Sequence, residues 1–188
     1  VLAQRCDDPE GALENYTKAR ELDPKNLQYI ACCAELKLAA GRATEARELI
    51  EKSASSFQFN PVLQQIRAAC LSMEGRREEA AHVMEQAFAR DPDSPLLAED
   101  LAHALFDAGE WAECLRTLDL AVLAPNRNRG DMIRMRARCL LMLSRAVEAR
   151  DLLLLHAPPG QPPVEHLVTL GYAAWLAGDW GRVASCGE

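Results

Sequence analysis

The sequence has little of what marks a membrane protein, a nucleic-acid binder or an enzyme. No apolar run approaches the roughly 20 residues that a spanning helix requires. The longest, around Leu152–Leu155, is broken by Arg150 and Asp151 and stops at Pro158. Basic residues are outnumbered, 21 against 28 acidic, for a formal net charge of −7. There is no basic stripe of the kind that polyphosphate backbones select. The glycines are isolated, so no phosphate-cradling loop is present. The four histidines (His82, His103, His156 and His166) fall at no metalloprotease spacing. Segments of alternating β-branched residues are missing too, which leaves an all-α chain as the expected fold class. These absences predict no cofactor, no metal, no catalytic residue, no nucleic acid and no membrane insertion.

Aromatics make up only 5% of the chain, while small and aliphatic residues are abundant. Such a composition suits helices that approach closely through small side chains. The seven cysteines (Cys6, Cys32, Cys33, Cys70, Cys114, Cys139 and Cys186) are odd in number and contain no CxxC. A zinc site and a disulfide framework are the alternatives to small core residues in a reducing compartment. The missing ligand spacing favours core residues and a cytoplasmic location. Cys32-Cys33 lacks a basic neighbour that would make either thiol reactive.

What is present is a beat. Gly41-Arg-Ala-Thr-Glu45-Ala46 returns as Gly75-Arg-Arg-Glu-Glu79-Ala80, as Gly109-Glu-Trp-Ala-Glu113-Cys114, and as Ser144-Arg-Ala-Val-Glu148-Ala149. Successive turns lie 34, 34, 35 and 34 residues apart, the last step reaching Gly178. A fixed period of this size denotes stacked supersecondary units. Each unit reads as two helices joined by the turn, for example Asn26–Ala40 and Thr44–Ser53. Glycine there suits a helix C-terminus, where a positive φ carries no Cβ penalty. Prolines (Pro24, Pro61, Pro92, Pro95, Pro125) punctuate the joins between units. The resulting division is a partial repeat 1–26, repeats 27–60, 61–94, 95–129 and 130–163, and an incomplete repeat 164–188, all in one array. Both ends fall inside a repeat, so a fragment of a longer protein is expected.

Aligned on the turn, the copies form columns. Seven residues before it stand Ala34, Ala68, Ala102, Ala137 and Gly171; five after it stand Ala12, Ala46, Ala80, Cys114, Ala149 and Val183. Nine after it come Tyr16, Ile50, Met84, Leu118 and Leu153. The offsets five and nine are four apart, so they share one helix face, where small residues of one helix meet large ones of its neighbour.

These columns, with Ala12…Tyr16…Ala19…Leu22-Asp23-Pro24, Ala80…Met84…Ala87…Asp91-Pro92 and Leu170-Gly171-Tyr172, resemble the tetratricopeptide repeat (TPR) family over essentially the whole chain. The resemblance implies a right-handed superhelical solenoid of antiparallel helix pairs. Its first helices would line a concave groove that binds an extended peptide or a partner helix. Two departures stand out. Arg67 and Arg136 occupy a position where the family usually has leucine. They imply either a loosened first helix or arginine stems lying on apolar surface with the guanidinium outside. The exit 156–163 is rich in proline, which makes it the candidate hinge; the helix before it should end near Leu155.

By the same resemblance the groove-facing residues include Glu35, Leu38, Glu99, His103, Phe106, Arg134, Arg138, Leu141, Tyr172 and Trp175. The groove would be acidic near Glu35 and Glu99, basic at Arg134 and Arg138, which are i, i+4 on one helix, and aromatic at Tyr172 and Trp175. The Lys/Asn clamp that some members use for a C-terminal carboxylate is missing: Ala31, Glu35 and Gln65 stand there. His103 with Asp107 reads as a surface pair. The leading expectation is a non-catalytic scaffold binding a protein or peptide. The alternatives are a regulatory or targeting arm of a larger enzyme, such as a transferase or kinase, and self-association through uncapped terminal repeats.

Overall fold

A computed structural model describes residues 8–57, 60–120, 123–125, 129–157, 160 and 162–181. Among them are ten α-helices and no strand: α1 (Pro9–Leu22), α2 (Leu27–Ala39), α3 (Ala43–Phe57), α4 (Pro61–Met73), α5 (Arg77–Phe88), α6 (Pro95–Ala108), α7 (Trp111–Leu118), α8 (Gly130–Met142), α9 (Ala146–Leu155) and α10 (Val164–Leu176). They form two compact units, 1–91 with α1–α5 and 92–188 with α6–α10. Within each unit every helix packs on the next, and α2 also touches α4, as α8 touches α10.

The boundaries follow local chemistry. Three of the first helices, α2, α4 and α6, start at a short polar side chain that accepts from an orphan backbone N–H: Asn26 from Gln28, Asn60 from Leu63, Ser94 from Leu97. Pro61 and Pro95 occupy the first turns, where no N–H is needed. The predicted helix 26–40 is observed as α2 with Asn26 and Ala40 as its caps. Its partner, predicted to reach Ser53, continues to Phe57, because nothing in Ala54–Phe57 breaks a helix. α9 ends at Leu155 as expected. The proposed hinge at 156–163 includes 158, 159 and 161, which lie outside the described residues.

The turns use one device throughout. Gly41, Gly75, Gly109 and Gly178 have φ between 76° and 84°, and Ser144 has φ 62°. Behind each, the next residue's N–H bonds the carbonyl five back, as in Arg42 to Lys37 and Arg145 to Leu140, at 2.9 and 2.8 Å. This closes the helix end as a Schellman motif and reverses the chain.

The small and large columns are the core. Ile30, Ala34, Ala46, Ile50, Leu63, Ile66 and Cys70 form one cluster in the first unit. Ile133, Ala137, Leu140, Ala149, Leu153, Leu170 and Ala173 form its counterpart in the second. The first copy differs: Ala12 and Tyr16 are only half-buried and α1 buries no residue, because among the described residues α1 packs chiefly on α2. The described cysteines, Cys32, Cys33, Cys70, Cys114 and Cys139, are free and buried. Burial pushes the Cys70 thiol up to about 11. A hydrogen bond with Cys139, followed by burial, pushes the Cys114 thiol up.

One of the two arginines at the leucine position resolves in a third way. Arg136 is neither loose nor directed outward. Its side chain is 14% exposed, its guanidinium bonds the Asp119 carboxylate, and it donates to the Leu118 carbonyl at 3.5 Å. Burial lowers its pKa. Arg67 lies 4.0 Å from Glu51. Glu51 and Asp119 both stand ten residues after the preceding turn, so the repeat aligns an acid with each misplaced arginine. A second recurring bridge comes from six after the turn. Arg47 reaches both carboxylate oxygens of Glu74 at 3.1 Å, and Arg150 approaches Asp179 at 3.7 Å.

Candidate partner-binding groove

The ten expected groove residues fall in both units. Glu35 and Leu38 belong to α2 of the first unit; both are half-buried, and Leu38 packs on the core cluster beneath it. The other eight belong to α6, α8 and α10 of the second unit, where several converge.

At the centre is Phe106, near the end of α6. Its ring meets Trp111 edge-on, with centroids 5.1 Å apart and planes at 73°. Trp111 begins α7 two residues past the turn glycine, so the reversal at Gly109 brings the two rings together. The Arg138 guanidinium of α8 lies over the Phe106 ring, 4.6 Å from its centroid. Phe106, Trp111, Arg138, Leu141, Met142, Val168, Thr169 and Tyr172 line a pocket of about 390 Å³. Tyr172 also packs on Trp175 at 5.8 Å. Val164, Val168, Tyr172 and Trp175, spaced four, four and three apart, are all exposed along one face of α10. Met142 of α8 is exposed as well.

Three lining residues, Trp111, Met142 and Thr169, are absent from the sequence-derived groove columns. Val168 stands in the groove-facing column ten before the turn, with Glu99 and Arg134. Trp111 lies beyond the turn on a second helix, and only the reversed chain carries it to the groove.

The charges sort differently from the linear pattern. Glu99 does not present a free acid: Arg129 Nη1 sits 3.0 Å from both of its carboxylate oxygens, and its side chain is 14% exposed. Arg129 also bonds Asp131, whose carboxyl the guanidinium holds below its usual value. Arg134 and Arg138 share a helix but not a setting. Arg138 lines the pocket, whereas Arg134 extends toward the start of α8, its Nη1 3.2 Å from where a Cβ on Gly130 would lie. Arg134 also contributes to lowering the pKa of His166, an effect led by burial of that ring. His103 and Asp107 are exposed, with no hydrogen bond between them among the described residues.

Among the described residues, no His, Cys, Asp or Glu side chain lines the pocket. The described thiols are buried away from it, and no His–carboxylate or His–cysteine pair faces the pocket. No group of three His, Cys, Asp or Glu side chains among the described residues could hold a metal ion. No described helix is long and apolar enough to cross a membrane.

The tetratricopeptide repeat model matches residues 7–70 and 71–129. Cellulose synthase 2 operon protein C of Komagataeibacter xylinus is 29% identical over 130 residues, covering 66% of this chain but 10% of that protein. The chain thus spans about a tenth of that relative's length. Among solved structures, pilF of Pseudomonas aeruginosa superimposes with a TM-score of 0.74 at 23% identity, over 95% of this chain and 81% of that one. YrrB, described as a TPR protein with an unusual peptide-binding site, gives 0.71 at 16% identity, over 93% and 90%. At these identities the neighbours show the fold, an all-α solenoid of helix pairs that is generally a non-catalytic interaction fold. With the family model matching well over half of its length, this chain belongs to the tetratricopeptide-repeat family.

Proposed function

We propose that the chain is a non-catalytic interaction scaffold that receives a segment of a partner protein on the first-helix face of its second unit. The observation that carries this reading is the exposed apolar face of α10 continuing into the pocket of Phe106, Trp111, Leu141 and Tyr172. Apolar side chains left open in this number are stabilised when a partner covers them. The neighbouring Arg138 supplies one polar contact that can set orientation. Five buried, free thiols suit the reducing cytoplasm.

Chemical-shift mapping on the isotope-labelled chain tests the reading. Peptides selected for binding should perturb α8 and α10, and Val168→Asp should abolish the perturbation while leaving the helical circular dichroism intact. Binding that persists in Val168→Asp, or that maps to α3 and α5, would sink it. The match to a far longer protein named for a cellulose synthase operon favours a second reading, in which the repeats are one arm of a larger enzyme assembly. Co-purification of the native protein with a catalytic polypeptide would decide for that reading.

A further inference from the structure

We infer that the segment taken by this groove is acidic as well as apolar, with one large apolar side chain in the pocket and a nearby carboxylate held by Arg138. The inference rests on the groove reading above and adds the chemistry of the partner. The apolar half follows from the walls, which are aromatic and aliphatic, and from a volume of about 390 Å³. That is near the lower end for ligand pockets and suits a side chain better than a folded surface.

The acidic half follows from how the second unit spends its arginines. Arg116, Arg129, Arg136, Arg145 and Arg150 each have a carboxylate within 4.0 Å. Arg134 and Arg138 have none among the described residues, and of the two it is Arg138 that is exposed and lines the pocket. Its place over the Phe106 ring, 4.6 Å from the centroid, holds the side chain in position without using an anion. A guanidinium donates in its own plane, so the ring does not compete for its N–H groups. It is thus a prepositioned fork for a carboxylate, the partner it binds in bidentate fashion. Glu99, which could have recruited a basic segment, is already occupied by Arg129. A polyanion such as nucleic acid fits poorly, because the chain carries a net charge of −7 and the pocket offers a single cation.

A displayed library of random linear peptides, selected on the full chain, provides the test. Recovered sequences should pair a large aliphatic or aromatic residue with Asp or Glu a few positions away. Arg138→Gln should weaken them about tenfold, the worth of a hydrogen bond to a charged group. Arg138→Glu should weaken them further, and replacing the peptide's acid by Lys should restore binding to Arg138→Glu. That charge swap is a result that a merely structural role for Arg138 would not give. Peptides that need Val168 and Tyr172 but ignore both Arg138 variants would overturn the acidic reading and leave the groove reading standing. If no peptide is recovered, or if binding survives Val168→Asp and Tyr172→Ala, the groove reading falls and this one with it.

Discussion

Ser144 is the only non-glycine residue with positive φ among the described residues, at 62°, and it occupies a turn position that four other copies give to glycine. A Cβ in the left-handed region costs roughly 1–2 kcal/mol. Glycine in its place adds conformational freedom to the unfolded chain worth about 0.5–1 kcal/mol. The difference predicts that Ser144→Gly stabilises the protein by about 0.5–1 kcal/mol. With a urea dependence of about 1–3 kcal/mol/M, the midpoint should rise by about 0.2–1 M at unchanged slope. The reverse experiment is available inside the same molecule. Gly75 has φ 80°, and a Cβ built there meets nothing within 4 Å, so Gly75→Ser should cost a similar amount through the backbone alone. Because repeats gain stability from near neighbours, the effect should be largest in amide exchange of α8 and α9, where protection should increase about two- to fivefold for Ser144→Gly. A lower or unmoved midpoint for Ser144→Gly, together with a neutral Gly75→Ser, would refute the idea that left-handed geometry sets the energy of these turns.

Arg136→Leu should be neutral or stabilising by about 1–3 kcal/mol in thermal or urea unfolding, since a largely buried guanidinium gives way to the residue that stands in the same column at Leu101 and Leu170, and the Asp119 left behind is 61% exposed; marked destabilisation would show that the pair is needed for packing. His166 is 2% exposed, and burial keeps its folded pKa below the unfolded value of about 6.5. The unfolded chain therefore takes up the proton first, so stability is full above that value and declines as pH falls below it, until the folded form also protonates. His166→Phe should flatten the urea midpoint between about pH 6.5 and 5, and an unchanged slope there would count against the buried ring. Thiol titration with an aromatic disulfide reagent should find Cys32, Cys33, Cys70, Cys114 and Cys139 unreactive until denaturant is added, because all five are buried; rapid labelling of any of them in the native protein would contradict the packing described.

The fold class was almost entirely a property of the sequence. A 34-residue period, glycine at each joint and alternating small and large columns could be satisfied only by stacked helix pairs, since each pair alone leaves its apolar stripe uncovered. Ala34, Ala102 and Ala137 were identifiable as core because local spacing places them on one face, and they are fully buried. The site was legible only in part. Phe106, Arg138, Leu141 and Tyr172 could be chosen by their offset from the turn, because a helix face is a local quantity. Trp111 could not, because it reaches the pocket from the other side of a chain reversal. Nor could the state of the charges. Glu99 and Arg129 are 30 residues apart in the chain and 3.0 Å apart in space, while Arg134 and Arg138, four apart on one helix, have different surroundings. Periodicity determines which residues share a face. Which of them remain free to meet a partner depends on pairings across helices, and only the tertiary structure decides those.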